Sequence, residues 1–575
     1  MRRILLVTLV SMISSTGWSQ WSTNTAVNTA ICSTDPQAAR TQIRTASDGA
    51  NGMFICWIDG RNASGGSIYV QRVSNTSSQI FTKDGILVSG TTVQKGNLAM
   101  IADGSGGVII SWTENNDIYG RRIDANGNFV WSGDKLLSVT TAGNQSGTVM
   151  AVVNSTHAIA AFVDGRNNIT GGTGNDIYLQ KIDLATGDRL LTIDTPACRA
   201  AGNQTAIQIV PDGAGGAFVS WQDPRAASTD INIYMTRVNN DCLPSSGWAT
   251  DGIPVCVATG NQTGLVMISD KNNGVYLTWQ DFRAGSTNGD IYAQRVAADG
   301  NVLWTANGVP VSINFGSQTL PQILAVSDGA VLTWTDPRLG TSNRDIYAQK
   351  IARSNGDTLW APTGGGVKIC DAPGNQPSNT SDGLQLVTDG GDGAFIVWVD
   401  TRNSTTSGND IYAQKISSAG AVQWADNGVV VTNATANQGN IIGAEYIPAS
   451  GGPLVCWQDA RSGTANGEIY GALLSADGNL TSNLRNIPRL EGTIRAYPIP
   501  AQHQITLSLT GVKPGSYLLQ ITDISGRMLL HQKTTLNSGN GLIQTNVHHL
   551  QNGMYFIRLQ HEDSKASSVY TFIKQ

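Results

Sequence analysis

The sequence predicts an all-β chain, most of which is a ring of repeated four-stranded units. Three observations predict it. First, one pattern recurs eight times: an aromatic anchor, Asp and Arg at +2 and +4, and an acidic-Ile-Tyr step about ten residues later. The anchors are Trp57, Trp112, Phe162, Trp221, Trp279, Trp334, Trp398 and Trp457, spaced 50 to 64 residues apart. Second, each unit holds short runs rich in β-branched and aromatic residues, separated by Gly, Asn and Asp turns. Third, no unit shows a long 3.6-residue apolar period, so no helix is expected there. Repeats of this length with several short strands are the mark of an eight-bladed β-propeller.

The unit from Gln262 serves as the type. An apolar run, Leu265 to Ile268, reads as its first strand and Val275 to Trp279 as its second. A wide loop follows, then Asp290 to Val296 and Val302 to Trp304 as third and fourth strands. Asp-Gly pairs between first and second strands (Asp48-Gly49, Asp103-Gly104, Asp212-Gly213, Asp389-Gly390) predict two-residue hairpins, for which glycine supplies a positive φ. One face of the ring should therefore carry tight turns, and the other the long loops. The last unit lacks its fourth strand. Trp21 to Cys32 resembles that strand and is expected to close the ring, which would remove the exposed edges. Of the thirteen tryptophans after Trp18, seven fall on second strands. Six (Trp21, Trp131, Trp248, Trp304, Trp360, Trp424) fall on fourth strands, where rings fill the space between blades.

The expected organisation is a secretory leader over residues 1–19, the propeller over 20–480, a linker over 481–494 and a separate domain over 495–575. The leader has Arg2 and Arg3 and an apolar run, Ile4 to Ile13, too short to span a bilayer. No transmembrane segment is expected. Net charge is −5 with 14% charged residues, and no basic cluster points to nucleic acid. The seven cysteines sit mostly in repeat slots. Cys56 and Cys456 precede the anchor. Cys198, Cys256 and Cys370 share a fourth-strand slot taken as that of Val139, with Cys32 close to it. Cys242 has no repeat equivalent and is the candidate to pair, with Cys256 nearest.

After Asn479 the repeat ends. Alternating runs then read as a small β-sandwich: Ile505 to Leu509, Tyr517 to Ile521, Met528 to His531, Leu542 to Val547, Tyr555 to Leu559 and Val569 to Ile573. Tyr497-Pro498-Ile499-Pro500-Ala501, Ile524-Ser525-Gly526-Arg527, Leu550-Gln551-Asn552-Gly553-Met554-Tyr555 and the terminal Phe572-Ile573-Lys574-Gln575 resemble the type A C-terminal sorting domain of the type IX secretion system. Ile499 stands where that family usually has Asn. The resemblance implies export to the periplasm, passage across the outer membrane by the type IX machinery, and release or attachment at the cell surface. It implies an address, not an activity.

Sites are weighed against the repeat. The Asp-x-Arg pairs recur in seven blades, from Asp59/Arg61 to Asp459/Arg461. Repetition favours a structural role, each Arg pinning its loop through a carboxylate or carbonyls, over a charged ligand ring. A ring of glutamines (Gln37, Gln94, Gln145, Gln204, Gln262, Gln318, Gln376, Gln438) either caps backbone or binds sugar. Five of six histidines lie in the C-terminal domain, and Glu114, Glu445 and Glu468 are the repeat's only glutamates. That supply excludes a His-based metal centre or Ser-His-Asp triad in the repeats. No cofactor is expected; calcium at Asx-rich loops such as Asn409-Asp410 is the one candidate ion. The preferred reading is a non-catalytic binding module for an extracellular ligand, a glycan or a protein. The alternative is a carbohydrate-active hydrolase using Asp residues near the channel mouth. The pattern lapses in blade two, which has Glu114, Asn115 and Asn116 and no Arg. It lapses again in blade three, with Phe162 and a loop lengthened by Gly171-Gly172-Thr173-Gly174. The expected ligand cleft lies there, at Glu114, Asn116, Gln145, Asp164 and Arg166.

Overall fold

The computed structural model describes residues 21–33, 38–62, 66–76, 78–139, 143–169, 174–340, 343–361, 365–376, 383–463, 467–481, 490–523, 528–563 and 567–575. The predicted leader lies outside them. The chain divides into two compact units, Ser19–Asn483 and a second containing Leu484–Gln575.

Among the described residues the first unit holds eight four-stranded antiparallel sheets. The type blade runs Gln262–Ser269, Val275–Asp281, Asp290–Val296 and Val309–Ser312, paired in chain order. First strands of successive blades touch, from the first blade through to the eighth and back to the first. That cycle closes a propeller around a channel lined by first strands. Gln262, Asp281 and Asp290 pair in one row across three strands. The wide loops and the starts of the inner strands therefore share one face.

The eighth sheet is closed from the other end of the chain. Thr29–Cys32 pairs antiparallel with Glu468–Ser475, Cys32 opposite Ile469. Trp21 is buried, and its Nε1 donates to Ser74 O of blade one at 2.7 Å. Trp131, Trp248, Trp304, Trp360 and Trp424 reach carbonyls of their next blades in the same way, at 2.9–3.1 Å. The seam thus carries the same stitch as the interior junctions.

Several local expectations change. The fourth strands begin later than expected: Val302 makes only an isolated bridge to Val296, and regular pairing starts at Val309, after a turn at Thr305–Gly308. The Asp-Gly turns are longer than two-residue hairpins. Gly49 does have φ +66°, but Asp48 N donates to Gly52 O, and Asp48 Oδ1 accepts from the N–H groups of Ala50 and Gly52 at 2.7 and 2.8 Å. The carboxylate replaces the missing strand partner of those amides. Its other oxygen takes Arg72 at 2.8 Å. Arg166–Ile169 forms one short helical turn where none was expected. All seven cysteines are buried and free, Cys242 and Cys256 included. Burial pushes the Cys242 and Cys256 thiols up to about 12.

The second unit packs a three-stranded sheet and a four-stranded sheet around its own core of Ile505, Leu507, Tyr517, Leu519, Ile557 and Phe572. The six expected strands are present, and Thr493–Tyr497 adds a seventh that starts inside the predicted linker. The opening motif and the chain end are tied together: Ala501 N donates to Ile573 O at 2.8 Å, and Gln575 N to Ala501 O at 3.0 Å. Ile524–Arg527 of the family motif lies outside the described residues.

Candidate functional site

The repeated residues form a single clamp. Residues two apart on a strand point to one side, so Trp279 Nε1 donates to Asp281 Oδ2 at 2.8 Å. The same bond spans 2.7–3.0 Å from Trp57, Trp221, Trp334, Trp398 and Trp457. The Arg at +4 folds back onto that carboxylate, at 2.5–2.7 Å for Arg61, Arg166, Arg225, Arg283, Arg402 and Arg461. Arg338 does likewise to Asp336. Each guanidinium stacks on the Tyr of the acidic-Ile-Tyr step, 3.7–4.3 Å from ring centre. That Tyr is the cross-strand partner of the anchor.

The guanidinium also reaches a loop carbonyl, as Arg283 does to Asn307 O at 2.6 Å. Cysteines supply a further acceptor: Cys32, Cys198, Cys256 and Cys370 receive the next blade's Arg at 3.0–3.4 Å. Ser312 fills the same slot for Arg338. In blade two this buried slot is held by Ser138, whose Oγ accepts from Ile118 N, and not by Val139. Burial raises the Asp59 carboxyl, but bonds from Arg61 and Trp57 outweigh it and hold it below the usual range. The Asp-x-Arg ring is therefore scaffold, with every clamp Asp fully buried.

The glutamines cap backbone. Gln262 Nε2 donates to Ala258 O and Gly260 O at 3.1 and 2.7 Å, and Gln318, Gln376 and Gln438 repeat the pattern. In two blades other residues occupy this row. The residues in this row of blades one and two are Arg40, opposite Asp59, and Lys95, opposite Glu114. Gln37 lies outside the described residues and Gln94 lies one position out of register.

The five residues expected at the cleft divide sharply. Glu114 is buried: it accepts from Thr91 Oγ1 at 2.7 Å and Trp112 Nε1 at 3.2 Å, and pairs with Lys95 Nζ at 3.6 Å. It does the work of the clamp Asp, with Lys95 as its cation. Asp164 is buried beneath Arg166, which also bonds Asp194 at 2.7 Å. Phe162 has no side-chain N–H, and the Gln145 amide fills that vacancy by donating to Asp164 Oδ2 at 2.9 Å.

Asn116 lines a cavity of about 410 Å³ with Gln94, Asn97, Thr113 and Asn115. Asn115 and Asn116 are the two residues of a tight hairpin, with φ +53° and +66°, a conformation asparagine tolerates well. Of the stretch that lengthens the blade-three loop, residues 171–173 lie outside the described residues.

Near the Asx-rich loop, Asp410 accepts from Asn403 Nδ2 at 2.9 Å and Ser407 Oγ at 3.0 Å. Among the described residues no group of three or more His, Cys, Asp and Glu is arranged to hold a metal. Three further acids on the loop face were not anticipated as perturbed. Burial pushes Asp176 and Asp290 up to about 6; burial, with Asp371 and Asp336 nearby, takes Asp345 to about 7. All three residues are buried.

Residues 495–574 match the family described as the secretion system C-terminal sorting domain. The C-terminal unit is thus the type IX address, and the protein is secreted or held at the outer-membrane surface. Among the described residues no helix is long and apolar enough to cross a membrane. No curated protein matches the chain. Among solved structures it is similar to PorZ, a bacterial surface component of the type-IX secretion system of Porphyromonas gingivalis (12% identity, 92% of this chain and 74% of that one, TM-score 0.28). It is also similar to an endo-arabinase from Bacteroides thetaiotaomicron (12%, 45% and 95%, TM-score 0.26) and to an endo-1,4-beta-xylanase from the same organism (11%, 60% and 99%, TM-score 0.24).

Proposed function

We propose that the propeller is a non-catalytic binding module for an extracellular glycan, delivered by its sorting domain. The observation that supports this is how the acids are used. Clamp carboxylates are bonded to Trp and Arg, and Asp176, Asp290 and Asp345, the three acids raised to about 6 or 7, are 3%, 1% and 0% exposed. A glycosidase needs two carboxyls that reach one scissile bond. What the loop face offers instead is amide and hydroxyl groups around the second-blade cavity, with Asn115, Asn116 and Lys95 on its wall and Lys95 paired with Glu114.

Asn116→Gly keeps the left-handed turn and removes the amide. We expect it to weaken retention on a glycan array about tenfold with melting unchanged. The alternative of an Asp-based hydrolase is tested on the same protein. Polysaccharide turnover abolished by a single Asp substitution would replace the binding reading.

A further inference from the structure

The inner strands carry a second repeated device, close to the channel mouth. Two residues after each clamp-row residue the strand bulges, and the pairing register shifts. The bulged residue has positive φ: Gln42, Asn97, Gly147, Ala206, Gly264, Leu320 and Asn440, at +44° to +62°. Blade seven's counterpart lies outside the described residues. Blades three to six place no polar side chain at this point. Blades eight, one and two, which are consecutive around the ring, place three amides there. Asparagine suits a left-handed backbone on its own account, so Asn97 and Asn440 need no ligand to explain them. Gln42 has no such preference.

The next level of the inner strands adds charge. Arg44, Ala99, Val149, Gln208, Val266, Gln322, Gln385 and Gly443 pair with the residue before each anchor and so stand at one height. Arg44 is the only charged member. It is exposed, and among the described residues its guanidinium makes one hydrogen bond, to the carbonyl of Ile43 at 2.9 Å. The clamp arginines, by contrast, are each spent on a carboxylate.

Arg44, Gln42, Gln385, Asn440 and Gln458 line a cavity of about 250 Å³ whose wall, among the described residues, has no Asp or Glu. Its amides are pre-oriented. Asn440 Nδ2 donates to Gln458 Oε1 at 2.7 Å, and Gln458 Nε2 to Arg40 O at 2.6 Å, so Asn440 Oδ1 is left as an acceptor. Gln42 Oε1 accepts from Leu98 N at 2.8 Å, so its Nε2 is left as a donor. That Nε2 lies 3.9 Å from where a Cβ on Gly96 would stand, and Gly96 lines the second-blade cavity.

An unpaired guanidinium selects a carboxylate, which it can hold through two parallel bonds. Fixed amide donors and acceptors beside it suit hydroxyls. We propose that the cavity lined by blades seven, eight and one is a site for an acidic saccharide. Arg44 takes the uronate carboxylate, and Gln42, Gln385 and Asn440 take ring hydroxyls. The proposal rests on the binding-module reading and names its ligand class.

The test is calorimetric titration of the full-length mature protein with trigalacturonate, neutral maltotriose and an acidic glutamate peptide, using wild type, Arg44→Gln, Arg44→Lys and Asn116→Gly. We expect trigalacturonate to bind, R44Q to weaken it about tenfold or more, and R44K to restore only part. Equal binding of the acidic and neutral sugars, or R44Q binding as wild type does, overturns the acidic-saccharide site. If N116G then still loses the neutral sugar, the binding module itself stands. Capture of the peptide in place of trigalacturonate overturns the ligand class, and binding of neither sugar removes both readings.

Discussion

A single side chain in this protein can be read only through its row. The Trp-x-Asp-x-Arg signature and the distant Tyr are one object: indole N–H, carboxylate, guanidinium and phenol ring in contact. Removing one clamp carboxylate would leave a mostly buried guanidinium uncompensated, at a cost of about 3 kcal/mol. The acids on third strands behave differently, because burial dominates there. Asp345 titrates at about 7 in the folded protein, against about 3.9 for an unfolded carboxyl. Between those values the native state holds a proton that the unfolded chain has lost. Stability from this group therefore falls as pH rises from about 4 to 7 and does not return above that. Asp345→Asn keeps the neutral form at every pH. We expect it to raise the melting temperature by roughly 1–3 °C at pH 8 and to change little at pH 4, as calorimetry would read. An equal effect at both pH values would show that the charge is not what costs stability.

At the scale of the element, each blade is a four-stranded sheet that cannot bury both faces alone. Six of the eight junctions share a tryptophan, just ahead of the fourth strand, that crosses to a neighbouring carbonyl, and five share a Cys or Ser meeting the next Arg. The terminal strand is held by the same bonds as the interior ones. Trp21→Ala and Trp304→Ala should therefore destabilise the ring by similar amounts, about 3–5 kcal/mol each in denaturant unfolding. If the Trp21 change were nearly neutral, the seam would contribute nothing to closure. Where the pattern lapses, a replacement keeps the element intact. Gln145 supplies the side-chain N–H that Phe162 lacks, and Lys95 with Glu114 replaces the clamp whose Arg is absent.

For the whole molecule, the two units have separate cores: no residue of the sorting domain's core comes from the repeats. The address can then be removed without opening the propeller. Deleting residues 495–575 should leave a folded propeller stranded in the periplasm, detected by cell fractionation and limited proteolysis. Surface delivery of the truncated chain at the normal level would contradict the assignment of the tail.

The sequence by itself determined the propeller fold, its closure by the N-terminal strand and the route of export. These rest on periodicity and on short motifs, and both survive any error of a residue or two. It also determined that the Asp-x-Arg pairs are structural, because a residue needed in every blade serves every blade. Only the tertiary structure decided which residues share a row. Gln37 and Gln94 look like members of the glutamine ring when counted along the chain, yet pairing puts Arg40 and Lys95 there. The reason is that register is set by backbone hydrogen bonds across strands, and a shift of one residue turns a side chain to the other face. The same limit hid the candidate site. Glu114, Gln145, Asp164 and Arg166 stand out as departures or as charges, but burial turns them inward. Gln42 and Arg44 look ordinary in sequence and become distinct only when eight inner strands are set side by side around one channel.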